Sequence, residues 1–443
     1  MTALYYTLGV VLFVLAIAMS IGLHEFGHLI PAKKFGGKVT QWFIGFGPTV
    51  FSRRIGETEY GVKAIPLGGY VKIVGMLPPG PEQTDPTQLR DSNTGMFTQI
   101  IHDARKVEWD TITAQDSGRL FYKMAWWKKV IVMAGGPTVN LLIAFAIFWG
   151  IYATYGIKEV VPNDGAPVLS EVSVCVLPYA ESGRACTADD PASPAYAAGL
   201  RPGDTITSFN GVEVSSWDQL RELVRENYDG SAVIGYQRDA QTATTTTSTT
   251  VQARPVSTQD ESLTQVGFLG VTPVTHVQTT NGGPIFTLQQ MGDMTVRTVE
   301  ALATLPVKVG EVGLAVIGVQ DRAADSPVSI VGGGRIAGEA ASADDFPVAD
   351  KAVLLLSLVA GFNFFIGMFN FLPLLPLDGG HIASALWEAL RRGWARLRGR
   401  ADPGYVDAAK LLPIAYVVAS AMVIMGAVLI VGDIVVPIHL PTG

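Results

Sequence analysis

Two histidines and a glutamate near the N-terminus have the spacing of a zinc-hydrolase motif. The residues are His24, Glu25 and His28, in the order His-Glu-Phe-Gly-His. Two side chains four residues apart lie on one face of a helix, so both imidazoles can bind one zinc ion. Zinc lowers the pKa of a bound water molecule to about 7, and a neighbouring carboxylate can serve as general base. The motif therefore predicts a catalytic zinc site that attacks peptide carbonyls, with Glu25 as the base.

The position of this motif in the chain argues against a chance occurrence. It continues an uncharged apolar run from Ala3 to Leu23, which has about the length that spans a bilayer as a helix. Ionisable side chains at membrane depth are costly and are functional by default. We therefore expect the zinc site to lie on a membrane helix.

A catalytic zinc site needs a third protein ligand, and Asp378 is the best candidate. It is the only acidic residue in the stretch 370–380, which reads Asn-Phe-Leu-Pro-Leu-Leu-Pro-Leu-Asp-Gly-Gly. The prolines and glycines of this stretch break a predicted membrane helix, and broken backbone at membrane depth is tolerated only inside protein or beside a wet cavity. His381 is the alternative ligand. The remaining histidines are expected to be solvated: His102, His276 and His439.

Four apolar runs are long enough to cross a membrane as helices. They comprise residues 3–23, 130–155, 352–375 and 411–437. Only 16% of the residues are charged, against about 25% in soluble domains, which also indicates a membrane protein. The net charge of −7 gives no indication of a nucleic-acid partner. No Lys or Arg precedes the first run, so we expect a retained helix rather than a signal peptide.

Basic residues near the ends of these helices predict the orientation, because they favour the cytoplasmic side. Most of them lie between helices 1 and 2 or between helices 3 and 4: Lys33, Lys34, Lys38, Arg119, Lys123, Lys128, Lys129, Arg391, Arg392, Arg396, Arg398, Arg400 and Lys410. The other side is sparse, with Lys158 and Lys351. Both termini should therefore be extracytoplasmic, and the zinc motif should lie towards the cytoplasm.

The long connection between helices 2 and 3 has its own fold signature. Residues 193–204 end in Ala-Gly-Leu-Arg-Pro-Gly-Asp, an Asn-Gly hairpin signal follows at 210–211, and residues 216–224 have helical spacing of apolar residues. This pattern resembles a PDZ domain of the bacterial protease-associated type over residues 160–275. We place its carboxylate-binding loop at residues 165–168.

Together these motifs resemble the site-2 protease family in its bacterial, PDZ-containing form, of the regulator of sigma-E protease type. Residues 24–28 match the first family motif, and residues 370–373 and 377–379 match the second. Residues 135–140 resemble its Gly-Pro-x-x-Asn element, and residues 326–330 resemble a segment that follows the PDZ region. The resemblance covers most of the chain in the family's order.

The resemblance implies an intramembrane zinc metalloendopeptidase with one Zn²⁺ per chain, in a bacterial plasma membrane. The implied substrates are single-pass membrane proteins such as anti-sigma factors, or remnant signal peptides, and a peptide C-terminus would bind the PDZ domain. Asn370 would hold the substrate backbone as an extended strand. The other implied substrate-binding residues lie in the second motif or in a membrane-associated β-hairpin loop: Pro373, Gly45, Gly47, Gly68 and Gly69.

The expected fold is a polytopic α-helical membrane protein with four transmembrane helices, a membrane-associated β-hairpin loop and an extracytoplasmic α+β PDZ domain. Nine segments result: 1–36 (helix 1 with the zinc motif), 37–75 (hairpin loop), 76–128 (polar insertion and approach to helix 2), 129–156 (helix 2), 160–275 (PDZ domain), 276–350 (connector), 352–380 (helix 3 with the third ligand), 381–410 (cytoplasmic amphipathic segment) and 411–437 (helix 4). The polar stretch 77–118 has no assigned chemistry.

Two other functions fit parts of this pattern. A non-catalytic membrane PDZ scaffold would leave the zinc motif without purpose, and metal binding alone would not need Glu25. A metal transporter often carries inverted repeats, and the sequence shows none.

The two cysteines leave two alternatives. Cys175 and Cys186 either form one disulfide or remain separate thiols.

Overall fold

The computed structural model describes residues 2–79, 101, 103–106, 109, 112–179, 185–255, 263–323, 325–343 and 346–439. The chain divides into two units by its internal contacts. Unit 1 comprises Met1–Tyr155 and Gly282–Gly443, and unit 2 comprises Gly156–Asn281. Unit 1 contains the long helices and a β-hairpin, whereas unit 2 is mainly β-structure.

The α-helices whose bounds are defined by described residues are α1 (Thr2–Lys34), α2 (Trp126–Thr154), α3 (Pro194–Ala197), α4 (Trp217–Glu226), α5 (Pro284–Val316), α6 (Ile330–Ser342), α7 (Val348–Asn370), α8 (Asp378–Leu397) and α9 (Leu412–Val435). The strands are β1 (Val39–Ile55), β2 (Thr58–Ile73), β3 (Ile157–Pro162), β4 (Leu169–Val172), β5 (Thr205–Phe209), β6 (Val212–Glu213), β7 (Ser231–Arg238), β8 (Gln241–Ser248), β9 (Thr250–Pro255), β10 (Leu263–Phe268), β11 (Val271–Pro273) and β12 (Thr275–Thr280).

Four helices among the described residues are long and apolar enough to cross a membrane. They are α1, α2, α7 and α9, the last of these extended by a short turn to Ala408. The four predicted membrane helices are therefore confirmed by length and composition. Lys33 and Lys34 occupy the last turn of α1, where a positive charge complements the helix dipole.

Close backbone approach joins α1 to its two neighbours. A Cβ atom built on Gly135 would lie 2.0 Å from the Gly27 carbonyl oxygen, and one built on Gly9 would lie 2.5 Å from the Ala337 carbonyl oxygen. Small residues at such positions allow membrane helices to pack tightly without a hydrophobic driving force. Helix α1 is thereby held between α2 and α6.

The region between α7 and α8 differs from the sequence-based boundaries. Helix α7 ends at Asn370 rather than near Leu375, and α8 begins at Asp378 rather than at residue 381. Pro373 and Pro376 lack the backbone N–H that a continuing helix requires. Asp378 is thus the first residue of the amphipathic helix and not part of the third membrane helix, so the predicted segments 352–380 and 381–410 are corrected.

The stretch 276–350, expected to be a connector, contains two helices. Helix α5 is 33 residues long, with Pro284 in its first turn, and α6 begins after Ser329, whose hydroxyl accepts a hydrogen bond from the Val331 amide. Neither helix was predicted, because polar residues interrupt α5 and α6 consists largely of glycine and alanine. Helix α6 packs along α1, so it belongs to the membrane-helix assembly of unit 1.

Strands β1 and β2 form one long hairpin that folds back on itself. Residues 41–44 pair with residues 69–72 on one side and with residues 59–62 on the other, and residues 59–62 pair in turn with residues 51–54. The sheet is therefore four segments wide although only two strands build it. A bend at Gly45, whose φ of 88° favours glycine, permits the fold-back.

Part of the predicted polar insertion lies outside the described residues. The described residues at its C-terminal end form ion pairs with the hairpin. Lys38, just before β1, donates a 2.8 Å hydrogen bond to Asp116, which lowers the pKa of that carboxyl to about 2. Arg119 donates two hydrogen bonds of 2.7 and 2.8 Å to Glu57, in the turn between β1 and β2. Both the start and the turn of the hairpin are therefore bound to this segment.

Unit 2 is built around a four-stranded sheet with the order β6-β5-β7-β8, accompanied by two-stranded pairs of β9 with β10, β4 with β11 and β3 with β12. Its core lies between the sheet and α4 and includes Ile206, Phe209, Leu220 and Ile234, all at most 1% exposed. Burial of this apolar surface is the main stabilising term for the unit.

The Gly-Asp turn of unit 2 is fixed by an ion pair. Asp204 is fully buried and accepts hydrogen bonds of 2.7 Å from Arg238. Burial opposes ionisation of Asp204, but the hydrogen bonds from the Arg238 side chain and the Arg201 amide outweigh it and lower the pKa of the carboxyl. This explains why an acidic residue follows the Pro-Gly turn.

Two further expectations for unit 2 are resolved by the structure. Cys175 and Cys186 form a disulfide, so the alternative of two separate thiols is wrong. Residues 165–168 do not line the groove of about 140 Å³ that runs beside α4 and β10. Our placement of a carboxylate-binding loop at residues 165–168 is therefore not supported.

Candidate active site

His24, His28 and Asp378 converge on one point. Their Nε2 and carboxylate oxygen atoms all lie within 4.8 Å of one another, and among the described residues they form the group that could hold a metal ion. The two Nε2 atoms are 3.2 Å apart, and Asp378 Oδ2 lies 3.4 Å from His24 Nε2 and 3.3 Å from His28 Nε2. Helix α1 supplies both histidines, and the first residue of α8 supplies the carboxylate.

These distances fit a tetrahedral zinc ion. With zinc–ligand bonds of about 2.0–2.1 Å, two ligand atoms of a tetrahedron lie about 3.3–3.4 Å apart. The three separations in the cluster therefore correspond to three edges of one tetrahedron. The donor set of two imidazoles and one carboxylate is also one that catalytic zinc sites use, with the fourth position open. The residues present thus fit the metal.

Helix α2 orients His28 for metal binding. His28 is 4% exposed, and its Nδ1 lies 2.8 Å from the Val132 carbonyl oxygen. The carbonyl can only accept, so Nδ1 carries the proton and Nε2 presents its lone pair to the metal. A hydrogen bond of this kind fixes the tautomer and the ring orientation of a zinc-binding histidine.

Gly136 of α2 allows the metal-binding face of α1 to approach. A Cβ atom built on Gly136 would lie 2.2 Å from His28 Nε2 and 2.7 Å from His24 Nε2. Real Cβ atoms do not come so close to other heavy atoms, so any side chain here must displace the ligand nitrogens. The glycine therefore leaves the volume that the metal-binding atoms occupy.

Gly136→Ala is expected to reduce zinc binding strongly, by at least the 10–100-fold that loss of an outer-shell partner typically causes. The reason is the direct overlap of the new methyl group with both imidazoles. Zinc content of the purified protein, measured by mass spectrometry beside that of the wild type, checks this. Gly150→Ala serves as the control, because Gly150 lies on the same helix and a Cβ atom built there would meet no neighbour within 4 Å. Equal zinc content in Gly136→Ala and wild type would contradict this assignment.

Glu25 lies next to the cluster but is not part of it. Its side chain is half-buried and lines a cavity of about 830 Å³ together with the three metal-binding residues. A Cβ atom built on Gly69 would lie 3.1 Å from Glu25 Cγ, so strand β2 passes directly beside it. Glu25 is therefore placed where a general base can reach a substrate in the cavity.

Some of the predicted substrate-binding residues line the cavity, and others do not. Asn370, Gly68 and Gly69 line it, whereas Gly45 and Gly47 are not among its lining residues. Pro373 instead lines a separate pocket beside α8. The alternative ligand His381 also lines the cavity but is not a member of the three-residue cluster.

A buried ion pair holds the helix that carries Asp378. Lys129 of α2 donates a 2.8 Å hydrogen bond to Glu388 of α8, and these side chains are 7% and 2% exposed. Arg392 and Tyr405 lie beside this ion pair, and the Arg392 guanidinium is 4.9 Å from the Tyr405 ring centroid. Removal of one partner from a buried pair typically costs about 3–5 kcal/mol. In the sequence Lys129 is evident only as an orientation signal, because its partner Glu388 lies 259 residues away.

Comparison with known proteins agrees with this site. Residues 12–401 match the model of peptidase family M50. The chain is 34% identical to the zinc metalloprotease Rip1 of Mycobacterium tuberculosis, with 98% of each chain covered. It is 34% identical to Rip1 of Mycobacterium bovis and 33% identical to Rip1 of Mycolicibacterium smegmatis, again over 98% of each chain.

The match extends over nearly the whole chain and includes the histidine helix, the cavity and the Asp378 helix. Scaffold and transporter functions are therefore set aside. The protein belongs to peptidase family M50 and is an intramembrane zinc metalloprotease.

Proposed function

We propose that the cavity around His24, His28 and Asp378 is the active site and that it hydrolyses peptide bonds within the transmembrane segments of other proteins. The observation that carries the proposal is the metal-binding cluster at one wall of a cavity that also contains Glu25 and an open strand edge. One zinc ion per chain would be held by the three residues of the cluster.

Glu25 is the general base in this scheme. Zinc, when bound, supplies a Lewis acid that polarises the scissile carbonyl and makes water acidic. The Glu25 carboxylate takes the proton from the attacking water and delivers it to the nitrogen of the leaving amine. The base needs no metal contact for this, which agrees with its position beside the cluster rather than within it.

The substrate would bind as an extended strand along β2. Residues 69–72 pair with residues 41–44 on one side, and no other strand of the described residues pairs with their free edge. Residues 68–74 line the cavity, with Asn370 among its other lining residues. A peptide added to a sheet edge gains main-chain hydrogen bonds irrespective of sequence. Because a helical segment has these groups occupied, the substrate helix must unwind first.

The same hairpin has the character of a membrane-associated loop. Several apolar side chains of β1 are exposed, with Val50 at 70%, Phe51 at 65% and Ile55 at 59%. Exposed apolar side chains grouped in this way mark interaction with a partner or a membrane. A hairpin immersed in lipid beside the cavity would deliver a membrane helix directly to the strand edge.

The membrane orientation follows from the charges at the helix ends. Lys33 and Lys34 end α1, shortly after His24 and His28, and Lys128 and Lys129 begin α2, whose Gly136 packs against both histidines. Basic residues favour the cytoplasmic side. We therefore place the active site towards the cytoplasm and both termini outside it. Unit 2 joins α2 at its opposite end, about 27 Å along the axis from Gly136 at 1.5 Å per residue.

Unit 2 is proposed to be an extracytoplasmic PDZ domain. Its α4 and β10 border a groove whose lining includes Arg221, Arg225 and Arg254. Guanidinium groups suit a peptide carboxylate, so the C-terminus left by a first cleavage is the expected ligand. The substrates would be single-pass membrane proteins, such as anti-sigma factors, or remnant signal peptides. Unit 2 would then act as a filter that excludes intact outer domains.

Deletion of residues 157–280 tests both the cleavage and the filter. The ends of unit 2 are adjacent, because β3 pairs with β12 and Ile157 lies opposite Thr280, so a short linker can close the gap. In liposomes, wild-type protein is expected to cut a single-pass reporter without its outer domain and to leave the full-length reporter intact. The deletion variant is expected to cut both.

The two parts of the proposal fail in different ways. If wild-type protein with zinc does not cut the trimmed reporter, which is the reporter without its outer domain, cleavage within membrane segments is contradicted. If the deletion variant cuts the trimmed reporter but still leaves the full-length one intact, the filter role of unit 2 is contradicted while the active-site assignment stands.

A further inference from the structure

We propose that Asn140 of α2 binds the substrate main chain: its Oδ1 accepts a hydrogen bond from a backbone N–H of the extended peptide, within about two residues of the scissile bond. The inference deepens the proposed function, on which it rests. It assigns a second polar contact in the cavity, on a different helix from Asn370 and from the metal-binding residues.

The starting observation is an unsatisfied polar atom. Asn140 is 2% exposed, and its Oδ1 is buried without a hydrogen-bond partner among the described residues. An unpaired polar atom inside a protein, and more so within a membrane, costs free energy unless a partner supplies a proton. Asn140 also lines the active-site cavity. An acceptor in this position suits a ligand that brings its own N–H.

The second observation is the position of Asn140 relative to the metal-binding atoms. A Cβ atom built on Gly136 would overlap the Nε2 atoms of both histidines. Asn140 follows it by four residues on the same face of α2, about 6 Å further along the axis. An extended peptide rises about 3.3 Å per residue. A substrate strand passing the metal site therefore comes to Asn140 within about two residues of the bond that is cut.

The third observation concerns the other walls of the cavity. Strand β2 lies beside Glu25, whereas α2 adjoins the metal-binding histidines. A substrate strand bound at the β2 edge directs every second main-chain N–H group towards β2. The N–H groups in between point to the opposite side of the substrate strand. The carboxamide of Asn140 meets such a group, so the contact recognises an unwound backbone and not a particular side chain.

Another asparagine provides a comparison within the same membrane-helix assembly. Asn363 of α7 is 1% exposed and also has a buried Oδ1 without a described partner. Its Nδ2, however, donates hydrogen bonds to Ser20 Oγ at 3.0 Å and to the Val359 carbonyl at 2.8 Å, and it does not line the cavity. Asn363 therefore links helices, and its variants report the effect of a purely structural loss.

The test combines enzyme variants with N-methylated substrates. A synthetic trimmed reporter is prepared with single N-methyl groups at successive peptide bonds around the cleavage site, since each removes one N–H. In liposomes with saturating zinc, wild-type protein is expected to lose about tenfold in kcat/KM at one such position within two residues of the scissile bond. Asn140→Leu is expected to show the same loss on the unmodified reporter and no further loss on methylation at that position.

The result is read as a double-mutant cycle. Asn140→Asp retains an acceptor and is expected to keep the sensitivity to methylation that Asn140→Leu loses. Zinc content should equal that of the wild type in both variants, and Asn363→Leu should lower the melting temperature without removing the methylation effect. Additive effects of Asn140→Leu and methylation at every position would overturn the proposal. Failure of wild-type protein to cut any trimmed reporter would instead count against the proposed function.

Discussion

Glu25→Gln is expected to keep a full complement of zinc and to lose about 10²–10⁴-fold in cleavage rate, the typical contribution of a general base. The carboxamide has nearly the same shape as the carboxylate but cannot take a proton from water. Zinc should be retained because Glu25 lies outside the three-residue cluster. The measurement pairs zinc content by mass spectrometry with the rate of cleavage of a trimmed single-pass reporter in liposomes.

A matched control separates loss of the base from loss of a negative charge. Glu339→Gln makes the same change on α6, where the carboxylate pairs with Arg335 and does not line the cavity. Its cleavage rate should stay within a few fold of the wild type. Near-normal cleavage by Glu25→Gln would contradict the role of Glu25. Zinc loss in that variant would show instead that Glu25 binds the metal.

Asp378→Ala is expected to lose both zinc and activity. The substitution removes one of three protein ligands, which should weaken zinc binding by more than the 10–100-fold caused by loss of an outer-shell partner. The remaining histidines would then compete poorly with a chelator. Zinc retained after dialysis against a chelator of known affinity, compared with wild-type protein, measures the loss, and the reporter assay measures activity.

His381→Ala is the comparison that decides the identity of the third ligand. His381 lines the same cavity only three residues from Asp378, but it is absent from the metal-binding cluster. The variant should therefore retain zinc under the same dialysis. Full zinc in Asp378→Ala together with zinc loss in His381→Ala would assign the ligand to His381 and refute the role of the Asp378 carboxylate.

Much of the site could be predicted from the sequence because its signals are local. The spacing of His24 and His28 is enough to place both rings on one helix face, and Asp378 is the only acid in its interrupted apolar stretch. Membrane helices are similarly evident from run length. The approximate positions of the membrane helices could therefore be predicted without knowledge of tertiary contacts.

The parts that were missed depend on contacts between distant segments. The need for glycine at position 136 arises from two imidazoles on another helix. The Lys129–Glu388 pair joins residues whose charges looked like surface charges in the sequence. Helix α6 has a composition that neither hydropathy nor amphipathic spacing detects. Its glycines at 333, 334 and 338 face side chains of α1, and Gly332 faces Asp433 of α9. Each case is a property of packing and not of a local pattern.

The division of the metal-binding residues between α1 and the start of α8 has a consequence for the synthesis of the protein. His24 and His28 are translated before unit 2, whereas Asp378 is made after unit 2 and the third membrane helix. At about 5–20 residues per second, the two events are on the order of tens of seconds apart. A chain still being inserted into the membrane therefore holds an incomplete metal site. The three residues of the cluster come together only once α8 has folded beside α1, so we expect hydrolysis at this site only from a chain that has been synthesised through α8.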